Sequence, residues 1–257
     1  MKEIKITITK WLKKYALEHN KDSLVIGVSG GIDSAVASTL CAETNIKTIV
    51  ISMPIHQNSE ELLRANKHIN WLKKNYSNIE SVKIDLSNIF NQFKQTIGKG
   101  FQNTLALANT RARIRMTTLY QIAGSKNGLV IGTGNKIEDF CIGFFTKYGD
   151  GGVDLSPIGD LMKSEVFLLA QELNIISEIQ KATPTDGLWN DERTDEDQIG
   201  ATYKEIESAI QNLAAKKKNL TSRQKEVIEI YLKVNKANKH KMLPIPVCVI
   251  SKKKLIS

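Results

Sequence analysis

Long apolar runs are missing from this sequence, and so are the cysteine spacings of metal sites and disulfide frameworks. No stretch approaches the ~20 consecutive apolar residues of a membrane helix, which excludes that class of membrane protein. Met1 to Thr9 mixes charged with single apolar residues, so it lacks the apolar core of a secretory signal. The three cysteines, Cys41, Cys141 and Cys248, are odd in number and far apart, and they read as reduced thiols of a cytoplasmic protein. Aromatic residues are only 6% of the chain, and no aromatic platform or nucleic-acid-binding module stands out.

What is present suits a chain that buries a real core: 257 residues, 41% of them hydrophobic. The net charge of +9 is unevenly spread. From Lys204 onward thirteen Lys and Arg face four Glu, whereas the preceding residues balance at twenty-three of each sign. The excess therefore belongs to the C-terminal region. A solvated basic face is the plain reading, with attraction of polyphosphate ligands as its alternative.

Strand-like and helical patterns alternate, as in a parallel sheet with crossover helices. Helical spacing runs over 4–19, 60–74, 89–97, 103–123, 163–173, 203–215 and 222–237, with a small-residue helix over 35–43. The continuous apolar run at 24–28 reads as a strand buried on both faces, and 48–53, 82–84 and 128–132 read as three further strands. Residues 183–200 are polar and irregular and read as a mobile loop. The expected fold is α/β: a doubly wound parallel sheet flanked by helices, with additional C-terminal helices. One domain over 1–257 is the simplest organisation, with the basic tail from about 242 to 257, including Lys252-Lys253-Lys254, unassigned. Ligands belong at the carboxyl ends of the strands.

The sharpest local signal is Gly27-Val28-Ser29-Gly30-Gly31-Ile32-Asp33-Ser34, between the first strand and its helix. Paired glycines let backbone N–H groups approach an anion, and the following helix N-terminus favours phosphate. Ser29 and Ser34 add hydroxyls. A bare Asp33 carboxylate would repel phosphate unless a divalent cation stood between them. The plain alternative is a tight turn with Asp33 and Ser34 as helix caps. No lysine follows the glycines, so this is not the common Gly-Lys-Ser/Thr phosphate loop.

The string resembles the Ser-Gly-Gly-x-Asp-Ser signature of the ATP pyrophosphatases, enzymes that cleave ATP to AMP and pyrophosphate. Later segments are similar to the ammonia-dependent NAD synthetases within that group: Ala106 to Met116 with Arg113, Gly132-Thr133-Gly134-Asn135-Lys136-Ile137-Glu138, Phe144 to Asp154 continuing to Lys163, Pro184-Thr185-Asp186, Asp195-Glu196 with Tyr203, and His240-Lys241. The resemblance spans about Val25 to Lys241. It departs at Ile137, where relatives often carry a small or hydroxyl residue.

That resemblance implies an adenine nucleotide alpha-hydrolase-like fold and an ATP site at Gly27, Val28, Ser29, Gly30, Gly31, Ile32, Asp33, Ser34, Thr133, Lys163 and Thr185. It implies deamido-NAD contacts at Arg113, Lys147, Asp154, His240 and Lys241, and Mg2+ held by Asp33 and Glu138. Arg111 and Arg115, two residues either side of Arg113, would point elsewhere on the helix. Asp33 and Lys163 would act on the phosphates, and Asp150 would accept the proton of ammonium unless it only stabilises its own turn. The implied reaction amidates deamido-NAD to NAD through a nicotinyl adenylate, with ATP and ammonia as co-substrates, in a homodimer. The length leaves no room for a fused glutaminase. Another ATP pyrophosphatase, the ATPase part of a GMP synthetase or a tRNA-modifying enzyme, is the near alternative. A non-catalytic nucleotide-binding regulator on the same fold is the distant one.

Overall fold

In the computed structural model, residues 1–185 and 194–250 are described; Asp186 and the Lys252-Lys253-Lys254 cluster lie outside them. Four strands form one sheet: β1 (Ser23–Gly27), β2 (Lys47–Ser52), β3 (Ile79–Lys83) and β4 (Gly128–Ile131), in the order β3-β2-β1-β4. Every neighbouring pair is parallel, with Val25 beside both Ile49 and Val130. Central strands covered on both faces need apolar residues throughout, and Leu24, Val25, Ile26, Ile49, Val50 and Ile51 are fully buried.

Helices cover each face, as expected. On one side α1 (Lys2–Glu18), α2 (Ile32–Ala42), α3 (Ser59–Asn75) and α6 (Lys163–Glu172) enclose a core containing Leu12, Leu40, Leu72 and Leu169. On the other, α4 (Ser87–Thr96) and α5 (Thr104–Ser125) pack Phe90 and Ala123 onto Val25, Ile49 and Val130. A third cluster joins Ile137 and Ile142 to α9 (Tyr203–Ala214) and α10 (Ser222–Met242). Helix α2 is buried on nearly every side. Its Ala and Ser residues are what allow helices and sheet to crowd it at once.

Several boundaries move. Helix α2 starts at Ile32, three residues before the expected 35, because Gly31 is extended and ends the turn there. Strand β3 starts at Ile79 rather than 82, pairing with Thr48. Residues 183–200 are not wholly irregular: Asp195–Ile199 form a short helix, α8, started by reciprocal Thr194–Asp197 capping bonds. Further segments had no counterpart in the periodicity, among them a 3-10 turn at Lys99–Phe101. Ser177–Gln180 form one helical turn, α7, and Lys136–Ile142 a π-helical stretch between Asn135 and left-handed Gly143.

The sheet order reverses beside β1, so the β1–α2 turn and the segment after β4 sit side by side at the carboxyl edge. That switch point is where open parallel sheets take their ligands.

Candidate active site

A cavity of about 710 Å³ opens at that edge. Its floor is the turn from Gly27 to Ser34, one wall is α5, and the opposite side is formed by the post-β4 segment, the start of α6 and the end of α10. Leu105, Ala108, Ala112, Met116 and Leu119 of α5 line it at helical spacing.

The turn is organised before any ligand arrives. Ser34 Oγ donates to the Gly31 carbonyl at 2.9 Å and accepts from the Ser29 N–H at 3.2 Å. Gly31 N–H donates to Ser29 Oγ at 3.2 Å. Gly30 has φ +93°, and a side chain there would collide with the Glu61 carbonyl of α3, so glycine is required twice over.

Asp33 stands in the first turn of α2, but its carboxylate does not cap the helix. It faces the post-β4 segment instead. Asn135 Nδ2 donates to Asp33 Oδ1 at 3.1 Å, and Lys163 Nζ donates to Asp33 Oδ2 at 2.6 Å. The same ammonium donates to Glu138 Oε1 at 2.9 Å. Glu138 is delivered by the π-helical stretch, whose N-cap Asn135 accepts from its N–H at 3.1 Å. Two carboxylates from separate elements thus converge on one positive charge, and Lys163 is 2% exposed.

Burial alone would lower the Lys163 ammonium, but Asp33 and Glu138 reverse this and hold it above the ordinary lysine range. Burial lifts Asp33 upward, with Lys163 opposing. Glu138 moves downward: burial is outweighed by the Lys163 charge and by Tyr203, whose hydroxyl donates at 2.6 Å. Glu138 is therefore the carboxylate that keeps its charge more firmly.

At the other end, Arg113 donates to the Lys147 carbonyl at 3.3 Å through both Nε and Nη2. Lys147 Nζ donates to the His240 carbonyl at 2.8 Å, and Lys241 Nζ to the Phe145 carbonyl at 2.7 Å. Thr133 and Thr185 line the cavity between the two ends. Asp150 lines it too and is exposed to solvent. One Asp150 oxygen accepts from the Thr146 N–H at 3.0 Å, and burial raises its carboxyl.

A model of the family described as NAD synthase matches residues 4–244. This chain belongs to the NAD synthase family. It is 40% identical over 204 residues to an NH3-dependent NAD+ synthetase of Carboxydothermus hydrogenoformans, covering 78% of this chain and 81% of that protein. Among solved structures it resembles an NMN synthetase from Francisella tularensis, with TM-score 0.87, 31% identity, and 97% and 98% of the two chains covered. It also resembles an NH3-dependent NAD synthetase from Campylobacter jejuni, with TM-score 0.78, 27% identity, and 96% and 99% covered. The sheet and its helices are the adenine nucleotide alpha-hydrolase-like fold of these synthetases.

For a member of this family, the structure gathers most of the expected residues around one cavity: the Gly27–Ser34 turn, Thr133, Glu138, Lys163, Thr185, Arg113, Lys147, Asp150, His240 and Lys241 all line it. Asp154 does not. Its carboxylate accepts from the Tyr120 hydroxyl at 3.0 Å and the Val130 N–H at 2.8 Å, which ties the chain to β4 outside the cavity lining. Arg115, expected to point away from Arg113's side, also lines the cavity: it is buried, with Nε donating to the Met53 carbonyl at 3.0 Å. Burial lowers it to about 10. A long side chain can turn around its helix, so spacing by two does not separate arginines.

Three further residues belong to the site. Tyr203 holds Glu138 and stacks its ring 4.9 Å from the Lys163 ammonium. Asn135 ties Asp33 to the π-helical stretch. Asp139 lines the cavity with its carboxylate folded over Gly134, where a Cβ would strike it. Burial first, then the charges of Asp150, Glu138 and Asp33, push its carboxyl well above the usual range. An Asp next to Glu138 was visible in the sequence. Its crowding was not.

Proposed function

We propose that this chain is an ammonia-dependent NAD synthetase that amidates deamido-NAD at the expense of ATP. The observation that carries the reading is Lys163, buried and fixed between Asp33 and Glu138 beside the glycine turn.

The carboxylate oxygen of the nicotinate attacks the α-phosphorus of ATP, and the bond to pyrophosphate breaks. The turn's N–H groups and the α2 N-terminus hold the departing phosphates in line. Ammonia then adds to the acyl carbon, the bond to AMP breaks, and the surplus proton of ammonium passes to Asp150. Its raised carboxyl suits a proton acceptor.

Asp33 and Glu138 fit a hard divalent cation in their chemistry: two carboxylates already directed at one point of positive charge, with substrate phosphates and water to complete an oxygen shell. Among the described residues no group of three or more candidate ligands gathers, so phosphate oxygens are needed. Bound Mg2+ would neutralise charge on the phosphates. Lys163, released from one carboxylate by that cation, would turn to the same phosphates.

Arg113, Lys147, His240 and Lys241 form the dinucleotide end of this reading, with Asp154 supporting β4 rather than touching ligand within one subunit. Exposed Phe93, Phe101 and Leu105 on and between α4 and α5 support a homodimer. Three free thiols are in keeping with a cytoplasmic setting.

A second reading, amidation of the pyridine mononucleotide, draws on the likeness to the Francisella NMN synthetase. One assay separates the two: ATP, Mg2+ and ammonia with either deamido-NAD or nicotinate mononucleotide. AMP and NAD formed together, with deamido-NAD preferred, support the first reading. AMP formation with neither pyridine substrate refutes both.

A further inference from the structure

The cations around the cavity are nearly all engaged. Lys163 is held by two carboxylates, while Arg113, Arg115, Lys147 and Lys241 donate to backbone carbonyls. Arg64, on α3, differs. It lines the same cavity and its side chain is 21% exposed, yet its buried Nε has no acceptor among the described residues. Among the described residues its ion-pair contact is with Glu60 at 3.9 Å, a long distance to a side chain that is 81% exposed and largely screened by solvent. A buried guanidinium donor without an acceptor is costly, and in the lining of a ligand cavity it is a donor available to an incoming anion.

Its position identifies the anion. The turn of α3 from Glu61 to Ala65 lies directly against Gly30, the middle of the phosphate-binding turn, and a Cβ built on Gly30 would come within 3.3 Å of Arg64 Cβ. Asp33 and Lys163 approach from the α6 side, whereas Arg64 approaches from α3. We infer that Arg64 is a pyrophosphate-binding residue: its guanidinium takes the phosphates of ATP that leave as pyrophosphate, reaching them from α3 while Lys163 reaches them from α6. The inference rests on the ATP reading of the turn. It also explains why this residue is an arginine: the planar fork pairs with two phosphate oxygens at once, which a lysine does not do.

The test is titration calorimetry of the full chain with inorganic pyrophosphate and with AMP, each with Mg2+, for the wild type, Arg64→Gln and Arg64→Lys. The Gln variant keeps part of the stem and removes the charge. Arg64→Gln is expected to weaken pyrophosphate about tenfold to a hundredfold, the usual range for a charge-assisted hydrogen bond, with Arg64→Lys in between. AMP affinity and Tm should stay near wild type. Wild-type binding of pyrophosphate with no loss in Arg64→Gln overturns the assignment alone. Equal losses for pyrophosphate and AMP also overturn it, because they signal a distorted turn. A wild type that binds neither removes the ATP reading as well.

Discussion

The two ends of the cavity are built on different principles. At the phosphate end, charged side chains meet each other: Lys163 bridges Asp33 and Glu138 at 2.6 and 2.9 Å, in an environment that leaves the lysine 2% exposed. At the rim, Arg113, Lys147 and Lys241 all donate to main-chain carbonyls. A carbonyl carries no net charge, so an arriving carboxylate or phosphate adds a Coulombic attraction that the carbonyl cannot match. On the proposed reading the phosphate end is the reacting end, and it keeps its charges in fixed positions, which is what stabilising charge in a transition state requires. On the same reading the rim would hold its cations in place until an anionic ligand takes them.

Removing the central ammonium is the severest way to break this comparison. Lys163→Met leaves two carboxylates facing each other without a counter-charge in a buried setting. Breaking a buried pair in this manner costs about 3–5 kcal/mol of stability. Turnover should fall by about a hundredfold to a thousandfold at saturating ATP, the scale for loss of one electrostatic stabiliser. Denaturant melts and steady-state rates would measure both. A variant that melts like the wild type would mean the bridge does not hold this end together.

Lys147→Ala addresses the rim and should give the opposite profile. Its ammonium is exposed and bound to one carbonyl, so stability should change by no more than about 0.5 kcal/mol. KM for deamido-NAD should rise about tenfold, the loss of one charge-assisted contact, with kcat largely kept. A drop in kcat with unchanged KM would place Lys147 in the chemistry and erase the distinction between the ends.

How much of this could be read from sequence depended on whether partners are neighbours along the chain. The glycine turn is contiguous, so Gly27 to Ser34 was legible as either an anion site or a tight capped turn, and short strand-like runs located the four strands, β3 with its start three residues late. Glu138 and Lys163 were legible only through resemblance, because nothing in their local spacing says that they share an ion pair with Asp33. The π-helical stretch was invisible, since a few residues of unusual winding leave no periodic signature. Asp154 was legible only by its place in a motif, and its hydrogen bonds to Tyr120 and to β4 had no signature in the sequence. Arg64 escaped notice because its distinction is an acceptor it lacks, and only a folded neighbourhood can reveal that.

Asp139 lies between the two ends and gives the smallest but most selective prediction. Its carboxyl is raised well above the ordinary 3.8 by burial and by Asp150, Glu138 and Asp33, with Lys241 giving partial relief. A carboxyl with a raised folded-state value binds its proton more tightly when folded, so its contribution to stability falls as pH rises from about 3.8 through that raised value. Asp139→Asn removes the titration and keeps the shape over Gly134. The variant should therefore melt above the wild type near neutral pH, by a few degrees, and the gap should close as pH falls toward 3.8. Measuring the difference between the two proteins cancels the other carboxylates, whose titrations they share to first order. A gap that is constant with pH would show that shape matters and charge does not. A gap of reversed sign would show that Lys241 pairs with Asp139 strongly enough to make the rim, like the phosphate end, a place of fixed charges.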